Sequence, residues 1–195
     1  MTAIFNLPNR LTLFRVALTI FFIIFTLQQE IITTFLGTAA FLAGAVTDYL
    51  DGYFARTRNL ITPFGEIMDP IADKFLVLSA FFVYAYLAYV TWWMVWIIAA
   101  REIGITFWRL VKMKKGEVLP AETWGKYKTA FQMVTIAFIQ LYLILEQSKI
   151  LYEDKMVWLR VHSYALIQAL MIIVVLLTVI SAVQLCMGKV GHKHA

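Results

Sequence analysis

FLVLSAFFVYAYLAYVTWWMVWIIAA, residues 75–100, contains no charged side chain. As one helix rising about 1.5 Å per residue it would extend about 39 Å, well beyond a bilayer core of about 30 Å. It holds no Gly or Pro to mark a turn, so hydropathy alone does not say whether the run crosses once or folds back. Charge placement decides. If the chain turns near Tyr89–Trp92 and a fourth span continues through Arg101 to Leu110, six spans result and both ends share one side. That side then collects all of the 17 Lys and Arg except Lys149, Lys155 and Arg160. A five-span chain would place the Arg101–Lys128 cluster on the other side, against the tendency of basic residues to stay cytoplasmic. The expected fold is therefore an all-α integral membrane protein of six transmembrane helices, one domain over residues 1–195, with both termini cytoplasmic.

Composition agrees. The 195-residue chain is 62% hydrophobic and 15% charged, with a mean hydropathy of +0.77. Soluble domains carry about 25% charged residues, so a water-soluble monomer is excluded. Residues 11–28 hold only Arg15 and lack a small-x-small cleavage site behind them, which reads as a retained first span rather than a signal peptide. Further apolar runs cover 31–46, 130–145 and 163–187. The net charge of +5 is explained by membrane orientation and calls for no nucleic-acid partner. One cysteine, Cys186, and three histidines, two of them in the C-terminal tail, exclude a disulfide framework and a Cys/His metal cluster. Any metal must be held by oxygen.

The second apolar run passes into DYLDGYFARTRNLITPFGEIMDPIADK, residues 48–74. Asp48, Asp51, Gly52, Ala55 and Arg56 fall at i, i+3, i+4, i+7 and i+8, one stripe if the helix continues. Gly52 and Ala55 offer almost no side chain, so a bulky ligand can approach the backbone between two carboxylates and an arginine. After the turn residues Asn59, Thr62, Pro63 and Gly65, Asp69 and Asp73 stand at i and i+4 at the start of the third span. Four converging carboxylates repel one another unless a divalent cation lies between them. Oxygen-only ligation suits Mg²⁺ or Mn²⁺, and two such ions about 3.5–4 Å apart clamp the attacking and leaving oxygens of a phosphoryl displacement. The simpler assignment, surface carboxylates paired with Arg56, Arg58 and Lys74, accounts for one or two Asp but not for four in this spacing beside membrane spans.

Residues 48–73 read D-x2-D-G-x2-A-R-x8-G-x3-D-x3-D, which resembles the signature of the CDP-alcohol phosphotransferases at every motif position. The resemblance implies six transmembrane helices, usually in a homodimer, and a CDP-linked lipid or alcohol as donor. It implies that Asp48, Asp51, Asp69 and Asp73 surround a two-metal site, with Asp73 also the general base. By the same likeness Gly52, Ala55, Arg56 and Thr62 belong to the CDP-lipid site, and Gly65 permits close packing. LPNRLTLFR, residues 7–15, looks like the family's other nucleotide-side element, with Asn9 in the equivalent place.

A second cluster concerns the acceptor. Arg101 and Arg109 lie about two turns apart on the fourth span, and Lys126, Lys128 and Thr129 open the fifth. Together they could hold a small dianionic phosphate. Lys112, Lys114 and Lys115 fit ordinary cytoplasmic anchoring. Arg101 interrupts a span and needs a partner, and Glu102, its sequence neighbour, is expected to point elsewhere. REIGITFWRL (101–110) and WGKYKTAFQM (124–133) look like elements of bacterial phosphatidylglycerophosphate synthases, which implies CDP-diacylglycerol as donor and sn-glycerol 3-phosphate as acceptor. A cardiolipin synthase, with phosphatidylglycerol as acceptor, is the nearest alternative, and an inositol-phosphate acceptor is a weaker one. A divalent-cation transporter is the alternative from another class; placement of all four Asp at one membrane face, with none at mid-depth, argues against it. Trp92, Trp93 and Trp96 with Tyr84, Tyr86 and Tyr89 are expected to form an interfacial aromatic belt on the outer side, where His162 should also lie. The site is expected to face the cytoplasm from the cytoplasmic membrane.

Overall fold

The structure is a computed structural model that describes residues 7–58, 63–114, 117–118, 123–149, 156–187 and 191–192, with side chains over 12–47, 71–72, 74–112, 125, 127–149, 156 and 158–185. Six helices follow in chain order: α1 (Leu7–Leu27), α2 (Ile31–Arg58), α3 (Pro63–Tyr86), α4 (Trp92–Lys114), α5 (Thr123–Gln147) and α6 (Val157–Met187). Two-residue strands β1 (Glu117–Val118) and β2 (Gly191–His192) pair antiparallel, an addition to the all-helical reading too small to alter the class.

The charge-free run divides at residues 87–91, as its charge flanks require. Ala88 takes the left-handed conformation, φ 64°. The Tyr89 amide then donates to the Tyr84 carbonyl at 2.9 Å and the Ala88 amide to Ala85 at 3.1 Å. This is a Schellman end built without glycine, which is why no turn signal is visible in the sequence. Side chains pin it from outside. The Tyr89 hydroxyl donates to Glu146 of α5 at 2.5 Å, and the Gln168 amide of α6 donates to the Tyr89 carbonyl at 2.8 Å.

α3 is the central helix, packed against α1, α2, α4 and α5. Leu76, Val77, Leu78, Ala80, Phe81, Val83, Tyr84 and Ala85 are all buried, so it has no single apolar face to read. α1 and α2 form a hairpin beside it, while α6 packs on α4 and α5. Among the described side chains of α2 the buried positions are Thr34, Gly37, Ala40, Phe41, Gly44 and Thr47, a helical stripe of mostly small residues. Such stripes let membrane helices approach closely where hydrophobicity gives no preference between protein and lipid. A Cβ on Gly37 would sit 2.7 Å from Thr26 Oγ1, and one on Gly44 3.2 Å from Leu76.

The outside is as apolar as the inside. Leu13, Phe14, Ile20, Phe21 and Ile24 on α1 and Ile172, Leu176, Val179, Ile180 and Val183 on α6 are exposed, a distribution suited to lipid and not to water. Among the described residues, Tyr127–Gln147 and Trp158–Leu185 are long and apolar enough to cross a bilayer, and Thr12–Leu27, Ile31–Thr47 and Lys74–Tyr86 are shorter apolar stretches. Some buried hydroxyls bond within their own helices, Thr19 to the Arg15 carbonyl at 2.8 Å and Thr135 to that of Phe131 at 2.7 Å, which satisfies them without water.

The aromatic belt needs correction. Trp92, Trp93, Trp96 and Tyr86 are exposed, but Tyr84 is fully buried, edge-on to Phe22, and Tyr89 turns inward to Glu146. Position 84 faces α1, and position 89 is needed to hold the turn. His162 is exposed and stacks on Trp158, with ring centroids 4.1 Å apart.

Candidate active site

α2 continues without a break to Arg58, so Asp48, Asp51, Gly52, Ala55 and Arg56 are all helical, as the stripe requires. Positions 48 and 51 extend the register of the buried Gly44–Thr47 face by one turn. α3 begins at Pro63, where proline's missing amide hydrogen costs nothing. Pro63 and Gly65 therefore lie in the first turn of α3 and not in the connection, which moves Asp69 and Asp73 into the second and third turns. Thr62 falls outside the described residues, and the side chains of Asn9, Asp48, Asp51, Gly52, Ala55, Arg56, Gly65, Asp69, Asp73 and Lys126 are outside those described.

The backbone still places the two acidic pairs relative to one another. Gly44 meets Leu76 where α2 and α3 cross, with the Arg15 side chain of α1 at the same level. Asp48 is four residues beyond Gly44, and Asp73 three residues before Leu76. The helices are antiparallel, so both stand about one turn, roughly 5 Å, beyond the crossing at the same end. Asp51 and Asp69 follow a further turn outward. Arg15 is fully buried at this end, a position the sequence marked only as the single charge of its span.

The better defined part is cationic. Lys74, directly after Asp73, places its ammonium 3.0 Å from Glu102 Oε2 of α4. Lys128 of α5 donates to Glu102 Oε1, and Arg101 Nη1 lies 3.4 Å from the same oxygen. The second guanidinium nitrogen of Arg101 donates to Ser181 Oγ of α6 at 2.5 Å. One carboxylate with only 4% of its side chain exposed thus gathers cations from three helices. Lys74, Glu102, Lys128, Thr129 and Gln132 line a cleft floored by Val77 and Leu78.

Glu102 consequently does not point away from Arg101. Adjacent helix positions diverge by about 100°, but the long Arg101 side chain bends back to the carboxylate, which Lys74 and Lys128 hold between the helices. Of the residues expected to hold an anionic acceptor, Lys128 and Thr129 share the cleft and Arg101 joins it through Glu102. Thr129 is exposed, its hydroxyl donating to the Gly125 carbonyl at 3.1 Å. Arg109 is exposed two turns farther along α4 and does not line the cleft. Lys74 and Glu102 were not among the expected site residues; a charged pair abutting two apolar spans was the available signal.

Residues 5–180 match the family described as CDP-alcohol phosphatidyltransferase, a span that takes in both acidic pairs and the whole cationic cleft. The chain belongs to that family. It is 36% identical over 170 residues to the CDP-diacylglycerol–glycerol-3-phosphate 3-phosphatidyltransferase of Bacillus subtilis, covering 80% of this chain and 88% of the relative. The protein of the same name from Escherichia coli K12 is 39% identical over 140 residues, 69% of this chain and 76% of the relative. A probable phosphatidylglycerophosphate synthase of Mycobacterium tuberculosis is 36% identical over 139 residues, 70% of this chain and 66% of the relative. CDP-alcohol phosphatidyltransferases are integral membrane enzymes that generally use a divalent metal. The donor chemistry fits such an ion: two antiparallel helices bring four aspartates to one end, and no three His, Cys, Asp or Glu gather elsewhere among the described residues.

Proposed function

We propose that this protein transfers the phosphatidyl group of CDP-diacylglycerol to sn-glycerol 3-phosphate, giving phosphatidylglycerophosphate and CMP. The observation that carries the acceptor is the cationic cluster of Lys74, Arg101 and Lys128 around Glu102, with Lys74 directly after Asp73 on α3. The names of the relatives agree with it. Asp48, Asp51, Asp69 and Asp73 would hold Mg²⁺ or Mn²⁺, two ions in this reading. When bound, the divalent cations neutralise the donor pyrophosphate and stabilise the departing CMP. Asn9, Gly52, Ala55, Arg56, Thr62 and Gly65 form the CDP-lipid side, with Gly52 and Ala55 leaving room for the head group. Arg101, Lys126, Lys128 and Thr129 serve the acceptor phosphate, and Arg109, two turns along α4 from the cleft, contributes longer-range positive charge.

The chemistry is one in-line displacement. An acceptor hydroxyl oxygen bonds to the β-phosphorus of CDP-diacylglycerol as the bond to the CMP oxygen breaks, and Asp73 accepts the hydroxyl proton. Phosphate contacts on the cationic side position the hydroxyl without taking part in the displacement. The proposal includes six spans with both termini cytoplasmic, a homodimer, and a site facing the cytoplasm from the cytoplasmic membrane.

The test uses the purified full chain with CDP-diacylglycerol and Mg²⁺, offering glycerol 3-phosphate, phosphatidylglycerol, inositol phosphate and serine separately. CMP and phosphatidylglycerophosphate should form with glycerol 3-phosphate, stop on chelation and resume with Mg²⁺ or Mn²⁺. Arg101→Ala should raise KM for glycerol 3-phosphate about tenfold or more while leaving that for the donor nearly unchanged. Product from phosphatidylglycerol alone would assign cardiolipin synthesis instead. Cation flux without CMP release would assign a transporter.

A further inference from the structure

Glu102 has no place in the displacement just described, yet among the described residues its carboxylate gathers three cations beside it. It sits 3% exposed between α3, α4 and α5 and contacts Lys74, Arg101 and Lys128 at once. Burying a carboxylate among helices is costly unless its partners hold it firmly, so the arrangement calls for a reason beyond anchoring. Its two oxygens divide the work. Oε2 takes Lys74, the residue after Asp73, while Oε1 takes Lys128 and Arg101. Glu102 therefore links the turn that carries Asp73 to the cations on the acceptor side.

Electrostatics adds a second constraint, because three cations converge on the one carboxylate. Without the carboxylate, Lys74, Arg101 and Lys128 would repel one another, and the flexible lysines would swing apart. A preorganised cluster binds its anion without first bearing that repulsion and ordering cost.

We propose that Glu102 is a positioning residue for the acceptor. Resting on the reading of the cleft as an acceptor-phosphate site, it acts through Lys128 and Lys74, holding them where a phosphate monoester is fixed relative to the base on α3. It touches neither substrate. Its loss should weaken use of the acceptor and leave donor recognition on α2 intact. A carboxylate that merely occupied the place of the acceptor anion would do the reverse, because its removal would tighten acceptor binding.

The experiment compares wild type, Glu102→Gln, Lys128→Met and the double variant, each as full-length protein in detergent, with KM and kcat measured separately for CDP-diacylglycerol and glycerol 3-phosphate. Glu102→Gln should reduce kcat/KM for glycerol 3-phosphate by roughly thirtyfold and change KM for CDP-diacylglycerol by less than about threefold. Glu102→Asp, which keeps the charge but is one methylene shorter, should recover part of the loss. In the Lys128→Met background the further effect of Glu102→Gln should shrink to about threefold or less, since a residue that works through Lys128 has little left to position. Should Glu102→Gln alone fail to fold, Glu102→Asp takes its place in the cycle with Lys128→Met, because it leaves a carboxylate for the buried cations. A lower KM for glycerol 3-phosphate, equal losses for donor and acceptor, or full additivity in the cycle would overturn the proposal. An inactive wild type with glycerol 3-phosphate would instead overturn the acceptor assignment on which it rests.

Discussion

At the residue scale, the four aspartates share a side-chain type but not a role. Asp48→Asn, Asp51→Asn and Asp69→Asn each remove a charged oxygen donor from a proposed metal site, and CMP release should fall by at least about a thousandfold in each. The solubilised proteins should keep the elution volume and thermal midpoint of the wild type; activity in a well-folded variant would break the assignment. Asp73→Asn should lower kcat far more than it weakens CDP-diacylglycerol binding, because it also removes the proton acceptor. Parallel losses of binding and rate would reduce Asp73 to a ligand. Glu102 teaches the complementary lesson. Adjacency in sequence argued that it could not meet Arg101, yet the guanidinium lies 3.4 Å away, because side-chain length overrides helical angle where other cations fix the carboxylate.

At the element scale, the α1–α2 hairpin depends on positions with no room for a side chain. Gly37 is the tightest. Its added Cβ would meet the buried Thr26 oxygen at 2.7 Å and the Phe22 carbonyl at 3.4 Å, and neither atom can retreat far inside a helix pair. Gly37→Ala should therefore cost roughly 1–3 kcal/mol and lower the thermal midpoint in detergent, measurable by scanning fluorimetry. Gly104, whose Cβ would meet nothing within 4 Å, supplies the control, since Gly104→Ala should leave the midpoint unchanged or raise it. A drop at Gly104 equal to that at Gly37 would show that packing at the hairpin is not the cause. The same stripe carries function outward: Gly37, Ala40, Gly44 and Thr47 hold α2 against its neighbours, and Asp48 and Asp51 stand at the next turn of the same face.

For the whole molecule, the proposed six-span arrangement makes a prediction about sides. In a Cys186→Ser background, a cysteine at Lys149, in the α5–α6 turn, should react with a membrane-impermeant maleimide added to intact cells. A cysteine at Lys115, between α4 and α5, should react only after the membrane is opened. Labelling of Lys115→Cys alone would reverse the proposed orientation and move the acidic end of the bundle outside; labelling of both would break the six-span arrangement.

The reach of the sequence differed between these scales for physical reasons. Six helices and the division of the 75–100 run near Tyr89 were legible, because apolar length and charge distribution are local properties that a bilayer sorts directly, whereas the extension of α2 through Arg56 was only the condition for the carboxylate stripe. The motif at 48–73 was legible for a related reason: helical periodicity aligns residues three and four apart wherever the helix lies. Three features followed only from tertiary structure. Tyr84 left the expected belt because it lies on a buried side of α3 while Phe75 and Tyr86 are exposed, and composition cannot say which aromatic faces outward and which faces Phe22. The fully buried Arg15 met the Gly44–Leu76 crossing through the packing of α1 on α2 and α3, which no spacing within α1 encodes. The Lys74–Glu102–Lys128 network joins residues 28 and 26 positions apart, and only the meeting of α3, α4 and α5 brings one buried carboxylate within reach of both ammonium groups.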